Sequence, residues 1–203
     1  YVKSSTPRGL AGLLLIEDEC HPAMVEEQSK GVKAILEQGK AAEVLVAEST
    51  EEANGLAAAR RTALSSLARV SPTTLLEDAT VPRSRLAETF AEIERLTDKY
   101  KLKVGTFGHA GDGNLHPTVL CDERDSEEMH RAHAFYDELY DQVLAWGGTV
   151  SGEHGIGLAK KEYLARQIGP GGVAVMKRIK DAFDPKGILN PGKIFVDEDP
   201  CTE

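Results

Sequence analysis

Gly108-His109-Ala110-Gly111-Asp112-Gly113-Asn114-Leu115-His116-Pro117 is flanked by apolar runs, Val104 to Phe107 before it and Thr118 to Leu120 after it. The runs predict strands, and the Gly-Asp-Gly-Asn core predicts the turn that joins them. In a simple hairpin His109 and His116 would face each other across the two strands. Directly opposed residues have Cβ atoms roughly 5 Å apart, near enough for two imidazoles to share one ion. Downstream, Ser151-Gly152-Glu153-His154-Gly155-Ile156-Gly157 sets a carboxylate and another imidazole between glycines. His109, His116 and Glu153 together make a metal set with one position left open for substrate. In an extended loop the adjacent Glu153 and His154 would point to opposite sides. Only one of the two is then well placed to face the ion, unless a sharp turn at the glycines brings both round.

Each of these residues also has an ordinary explanation. A neutral histidine often does no more than bond backbone, and Asp112 is of the type that bonds its own backbone in a turn. Two histidines across one turn, joined by a second glycine-flanked Glu-His pair, fit that explanation less well. His130 and His133 fall beside the apolar stripe of a helix with no carboxylate-rich loop at hand, and are predicted to face solvent. His21, at a helix start, is read as a surface residue. Arg60 and Arg61 read as a solvated pair in mid-helix; held near a metal, an arginine would instead clamp a carboxylate with two parallel hydrogen bonds. Asn190 before Pro191 fits plain turn chemistry.

Outward from the hairpin, periodicity predicts the other elements. Residues 11–16, 43–47 and 73–81 read as strands. Helices are predicted over 21–39, from Ser49 or Thr50 to about Ala68, from Pro82 to Tyr100, and over 126–146, the last with Met129, Ala132, Tyr136, Leu139, Val143 and Trp146 on one face. A helical segment around 160–167 is broken by Gly169-Pro170-Gly171-Gly172; a short helix over 173–183 and a turn-rich end over 184–195 follow. Strands separated by helices, with one tight strand–turn–strand, predict an α+β fold. The expected form is a ferredoxin-like antiparallel sheet, β-α-β-β-α-β, with helices mainly on one face and a C-terminal helical and turn tail. No glycine-rich loop follows a strand and opens a helix, so no dinucleotide fingerprint is present and the chain itself is not expected to bind a dinucleotide tightly.

A chain of 203 residues is long enough for a real core, and its net charge of -9 argues against nucleic acid as the main partner. Cys20, Cys121 and Cys201 are few and unpatterned, which suits a reducing compartment. No apolar stretch approaches the roughly 18 residues of a membrane span, and no signal peptide is visible. The first residue is Tyr1 rather than Met, so a fragment is expected.

Three motifs in order resemble one known family: the hairpin stretch, Ser151 to Gly157, and Asp184-Pro185-Lys186-Gly187-Ile188-Leu189-Asn190-Pro191-Gly192-Lys193. They look like the C-terminal domain of FAD-linked oxidases, in the branch of the glycolate oxidase D subunit, D-lactate dehydrogenase and D-2-hydroxyglutarate dehydrogenase. The run from Thr73 to Leu86 looks closest to the glycolate oxidase subunit. The resemblance implies a substrate domain over 11–196 that caps a separate N-terminal flavin domain, absent here, with 1–10 as a linker end and 197–203 as a tail. By resemblance His109, His116 and Glu153 are the ligands of a divalent ion, zinc from the donor set. Asn114 is a polar residue beside metal and substrate, and His154 the catalytic base. Arg60 is the substrate-carboxylate arginine, with Arg61 the alternative register, and Asn190 lies in the tail segment that approaches the flavin. Where the hydroxyglutarate enzymes carry further polar substrate residues this chain has Leu64 and Leu76, which favours a short 2-hydroxy acid.

The resemblance thus implies FAD as cofactor, the chain's own flavin domain and other oxidase subunits as partners, and a cytoplasmic setting in which a membrane is reached only through those subunits. Two other classes compete. A self-contained zinc hydrolase would cleave an ester or amide without flavin, and a non-catalytic ferredoxin-like ligand-binding module would hold no tight metal.

Overall fold

The computed structural model describes residues 12–17 and 21–196. The chain divides into two compact units, 1–66 and 67–203. In the first, α1 is Pro22–Gln38 and α2 is Thr50–Arg61. Gly39 N–H bonds Ile35 O at 2.9 Å and closes α1, where the sequence predicted a stop. Ser49 caps α2 by accepting from Glu52 N–H at 3.2 Å, and the Glu52 carboxylate reaches back to Glu48 N–H at 2.7 Å, a variant of the capping box with its return bond one residue before the cap. Thr62 ends α2, its hydroxyl and its N–H both turned on Ala58 O. Arg60 and Arg61 therefore sit in the last turn of a helix rather than in its middle, before a short α3, Ala63–Leu67.

The predicted strands at 11–16 and 43–47 are not strands: residues 12–16 and 43–47 form no ladder, and residue 11 lies outside the described set. A strand exists through its neighbour's N–H and C=O groups. The apolar runs supplied the propensity for one, but among the described residues no ladder partner meets them.

The second unit carries the sheet. Its strands are β1 Thr73–Leu76, β2 Ala79–Thr80, β3 Lys103–His109 and β4 Asn114–Cys121, all antiparallel to β4 where they meet it. α4, Leu86–Tyr100, follows β2; α5, Ser126–Ala145, follows β4; an isolated bridge, Thr80↔Thr149, then joins the far side of β2. The order β-α-β-β-α-β is thus present with its last strand reduced to one bridge, and the fold is α+β. α6, Lys161–Phe183, is bent where Gly169 adopts φ 71° and ψ 164°, at the glycine-proline run that predicted a break.

The sheet is two-faced because strand side chains alternate. Leu115, Val119 and Cys121 of β4 join Ile93 and Leu96 of α4 and Phe135, Tyr136, Leu139 and Val143 of α5 in the core. Residues Asn114, His116 and Thr118, one step out of phase, turn to the opposite face. His130 and His133 are exposed, as is His21, in line with the solvent-facing reading.

The predicted strand over 73–81 is split between β1 and β2 by Glu77 and Asp78. Glu77 N–H reaches Pro117 O at 3.4 Å, but Pro117 has no N–H to return, so the ladder lapses there. The Tyr136 hydroxyl covers the lapse, 2.6 Å from Leu75 O and 3.0 Å from Pro117 O. This break frees Asp78 from the pleat.

Candidate metal and substrate site

The hairpin turns over four residues, Ala110 to Gly113. Asp112 N–H bonds His109 O at 3.0 Å, Gly113 N–H bonds Ala110 O at 3.3 Å, and Gly113 takes the left-handed φ of 75° that the turn needs. The register pairs His109 with Asn114 and Phe107 with His116. The two histidines are therefore diagonal rather than opposite, because the turn is two residues tighter than directly facing histidines require. A two-residue offset keeps both on one face, and their rings still meet edge-on with centroids 5.6 Å apart. Gly108 permits the pairing: a Cβ there would lie 2.3 Å from Asn114 O.

The second motif is set by a residue the sequence reading passed over. Asp78 is fully buried. Its Oδ2 accepts from the backbone N–H of Gly152 at 2.7 Å, Glu153 at 2.7 Å and His154 at 3.0 Å, and from Ser151 Oγ at 3.3 Å. Its Oδ1 meets the ammonium of buried Lys160. Lys160 also donates to Asp78 O at 3.0 Å and lies 3.2 Å from Glu77 Oε2. Burial works against the Asp78 charge, but the Lys160 ammonium and the amides of Glu153 and His154 outweigh it and hold the carboxyl well below the usual carboxylate range. Three successive amides converging on one oxygen make a turn, not an extended loop. Glu153 and His154 consequently do not point to opposite sides, and both reach His116.

Glu153 Oε1 lies 3.0 Å from His116 Nε2 and 3.5 Å from His109 Nε2. The ligand atoms of these three residues all fall within 4.8 Å of one another. Ligands held about 2.1 Å from a tetrahedral zinc stand roughly 3.4 Å apart, so the donor spacing fits such an ion. Burial first, and then the neighbouring His154, press the His116 imidazole below its ordinary value, which keeps it in the neutral form a metal requires. His154 stacks on His116 with centroids 4.9 Å apart and planes inclined by 10°. Its Nδ1 is 3.9 Å from Asp78 Oδ1, beyond hydrogen-bond range.

A cleft of about 250 Å³ opens beside these groups, lined by Thr80, His109, Asp112, Asn114, Gly152 and Glu153. Asn114 Oδ1 and Thr80 Oγ1 are buried with no hydrogen-bond partner among the described residues, an arrangement that costs free energy until something polar arrives. A Cβ on Gly152 would lie 2.3 Å from Thr80 Oγ1 and 2.6 Å from Asn114 Cγ, so only glycine closes the loop over them.

His109, His116, Asn114, Glu153 and His154 are thus brought together. Asn190 is exposed in the tail with φ 49°, and the tail is tied to the loop by Ile194 N–H on Gly157 O at 2.7 Å. Arg60, half-buried, and Arg61, exposed, belong to the first unit. Sequence reading missed Asp78, Lys160 and Thr80. The available signal was Glu77-Asp78, an acid pair interrupting an apolar strand.

The family described as "FAD linked oxidases, C-terminal domain" matches residues 2–194. Among curated relatives, the glycolate oxidase subunit GlcD of Bacillus subtilis (strain 168) is 46% identical over 195 residues, 96% of this chain and 42% of the relative. GlcD of Escherichia coli (strain K12) is 33% identical over 203 residues, 100% of this chain and 41% of the relative. A D-lactate dehydrogenase of Anaerostipes hadrus is 37% identical over 174 residues, 84% of this chain and 35% of the relative. The chain spans less than half the length of these proteins. By this match over nearly its whole length, the chain belongs to the family of FAD-linked oxidase C-terminal domains.

Proposed function

We propose that this chain is the substrate- and metal-binding part of a flavoprotein that oxidises a short 2-hydroxy acid, of the glycolate or D-lactate type, to the 2-oxo acid. The carrying observation is the convergence of His109, His116 and Glu153 at metal-ligand spacing, with His154 stacked against His116. The names of the matched relatives, glycolate oxidase and D-lactate dehydrogenase, support the substrate class.

When bound, a divalent ion, zinc from these donors, would supply a Lewis acid to the substrate hydroxyl, and FAD would supply a hydride acceptor. The remaining work falls to the chain. His109, His116 and Glu153 hold the ion beside the cleft. His154 accepts the hydroxyl proton at Nε2, the nitrogen not turned toward Asp78. Asn114 meets the substrate at the cleft wall, Arg60 clamps its carboxylate, and Asn190 approaches the flavin from the tail. Leu64 and Leu76 offer no charge to a second carboxylate, which sets the preference for a short acid. FAD is held mainly by a separate flavin domain, and other oxidase subunits are partners, in keeping with the word "subunit" in the names of two relatives. Among the described residues no helix is long and apolar enough to cross a membrane; the setting we propose is cytoplasmic, with any membrane contact made through partner subunits.

Metal analysis tests the reading. The chain should hold about one divalent ion, and His116→Ala should lose it; equal metal in both removes His116 from the ligand set. In the complete flavoprotein, Arg60→Lys should cost on the order of 2 kcal/mol in transition-state binding because lysine lacks the bidentate fork. A larger loss in Arg61→Lys would move the clamp by one residue.

A further inference from the structure

A carboxylate taken out of water is unfavourable unless donors saturate it. Asp78 meets that condition in a telling way: among the described residues, apart from Lys160, every hydrogen-bond donor to its side chain comes from one four-residue segment, Ser151 to His154. The sheet has no need of the charge, since Asp78 stands at the lapse between β1 and β2, off the ladder. Without a central acceptor the same segment would tend to extend, and Glu153 and His154 would diverge. We propose that Asp78 is the positioning residue of this site: its buried carboxylate, neutralised by Lys160, wraps the 151–154 backbone into the turn that delivers Glu153 and His154 to the same side of His116.

The geometry identifies what a substitute would lack. Asparagine keeps the volume but presents an NH2 group either to the three amides or to the Lys160 ammonium, so one set of donors meets another donor. The control is Leu96, buried in the core on α4 among residues packed under the opposite face of the sheet. Leu96→Ala lowers stability without touching the loop.

This inference rests on the metal reading only for its functional meaning, so two readouts separate them. Amide hydrogen exchange reads the turn itself. In Asp78→Asn the amides of Gly152, Glu153 and His154 should exchange about tenfold faster or more relative to those of β4, whereas Leu96→Ala should leave that ratio unchanged. Titration with Co²⁺, read by its visible absorption, reports ligand geometry. Affinity should fall by about 10–100-fold in Asp78→Asn, the range for outer-shell groups, and stay within about twofold in Leu96→Ala. If the loop amides keep their protection in Asp78→Asn, or if Co²⁺ affinity falls equally in both variants, the proposal is overturned. If wild type takes up no Co²⁺ while the amides respond as stated, the metal reading fails and the positioning role stands. Ser151→Ala covers the case in which Asp78→Asn does not fold. It removes one donor to the same carboxylate and the acceptor of Gly155 N–H, and should accelerate the loop amides by about threefold; no change there also overturns the proposal.

Discussion

The hairpin and the loop after α5 bring His109, His116, Glu153 and His154 to one place, yet different forces shape them. The hairpin is held by a ladder seven pairs long and by glycines that let two backbones close up. Its histidines stand where alternation puts them, whichever side chains surround them. The loop has no ladder; it is folded around a single carboxylate that arrives from another strand. Geometry encoded by backbone tolerates changes in neighbouring side chains, whereas geometry encoded by one buried ion pair does not.

The largest expected effect tests the division of labour within the loop. In the complete flavoprotein, His154→Asn should lower turnover by about 10²–10⁴-fold, the range for loss of a general base, while metal content stays at the wild-type level. Metal lost together with activity would place His154 in the ligand set and make the loop a donor of two ligands.

Next comes the ion pair. Asp78→Asn takes from the buried Lys160 ammonium its nearer carboxylate and leaves Glu77 Oε2 at 3.2 Å, which should cost about 3 kcal/mol near neutral pH, the low end for breaking a buried ion pair. Because the folded carboxyl sits below its ordinary value near 3.8, the stability it contributes is present above that pH. It is lost as the pH falls from there toward the depressed folded value. Chemical denaturation followed from neutral pH downward should therefore show the gap between wild type and variant closing below about pH 3.8. A gap that stays constant through that window would mean the charge is not what holds the loop.

The smallest effect sharpens the hairpin side. Gly108→Ala drives a Cβ into Asn114 O at 2.3 Å, whereas a Cβ on Gly111 meets nothing within 4 Å. The first should cost about 1–3 kcal/mol, as overpacking does, and the second should stay within about 0.5 kcal/mol. Equal thermal midpoints for the two variants would show that the ladder, not the glycine fit, tolerates the change.

The same contrast explains what the sequence disclosed. His109 and His116 were legible because period-two alternation and a glycine turn are local signals; even the wrong register, opposite rather than diagonal, kept them on one face. Glu153 and His154 were legible as a motif, but their shared direction was not, since it depends on Asp78, which is distant in sequence. The lapse at Pro117 was also invisible: no local signal sets Pro117 opposite Glu77. The apolar runs at 11–16 and 43–47 carried strand propensity, but propensity does not supply a ladder partner. Arg60 was placed on the right helix, with the helix end misjudged because the backbone bonds of Thr62 leave no trace in periodicity.

The distance between Asp78 and the loop also has a meaning in time. His109 and Asn114 find each other across a four-residue turn, a closure that takes microseconds or less in a chain. The contacts of Asp78 with residues 152–154 join positions 74 to 76 apart in sequence, and α4, the hairpin and α5 all lie between them. Closing so long a loop carries its entropy cost before any contact returns it. The two imidazoles of the hairpin are therefore expected in place first, and Glu153 and His154 are expected to reach them last. In a pulse-labelling experiment the amides of 152–154 should gain protection after those of β3 and β4, so that the site matures as the closing event of folding.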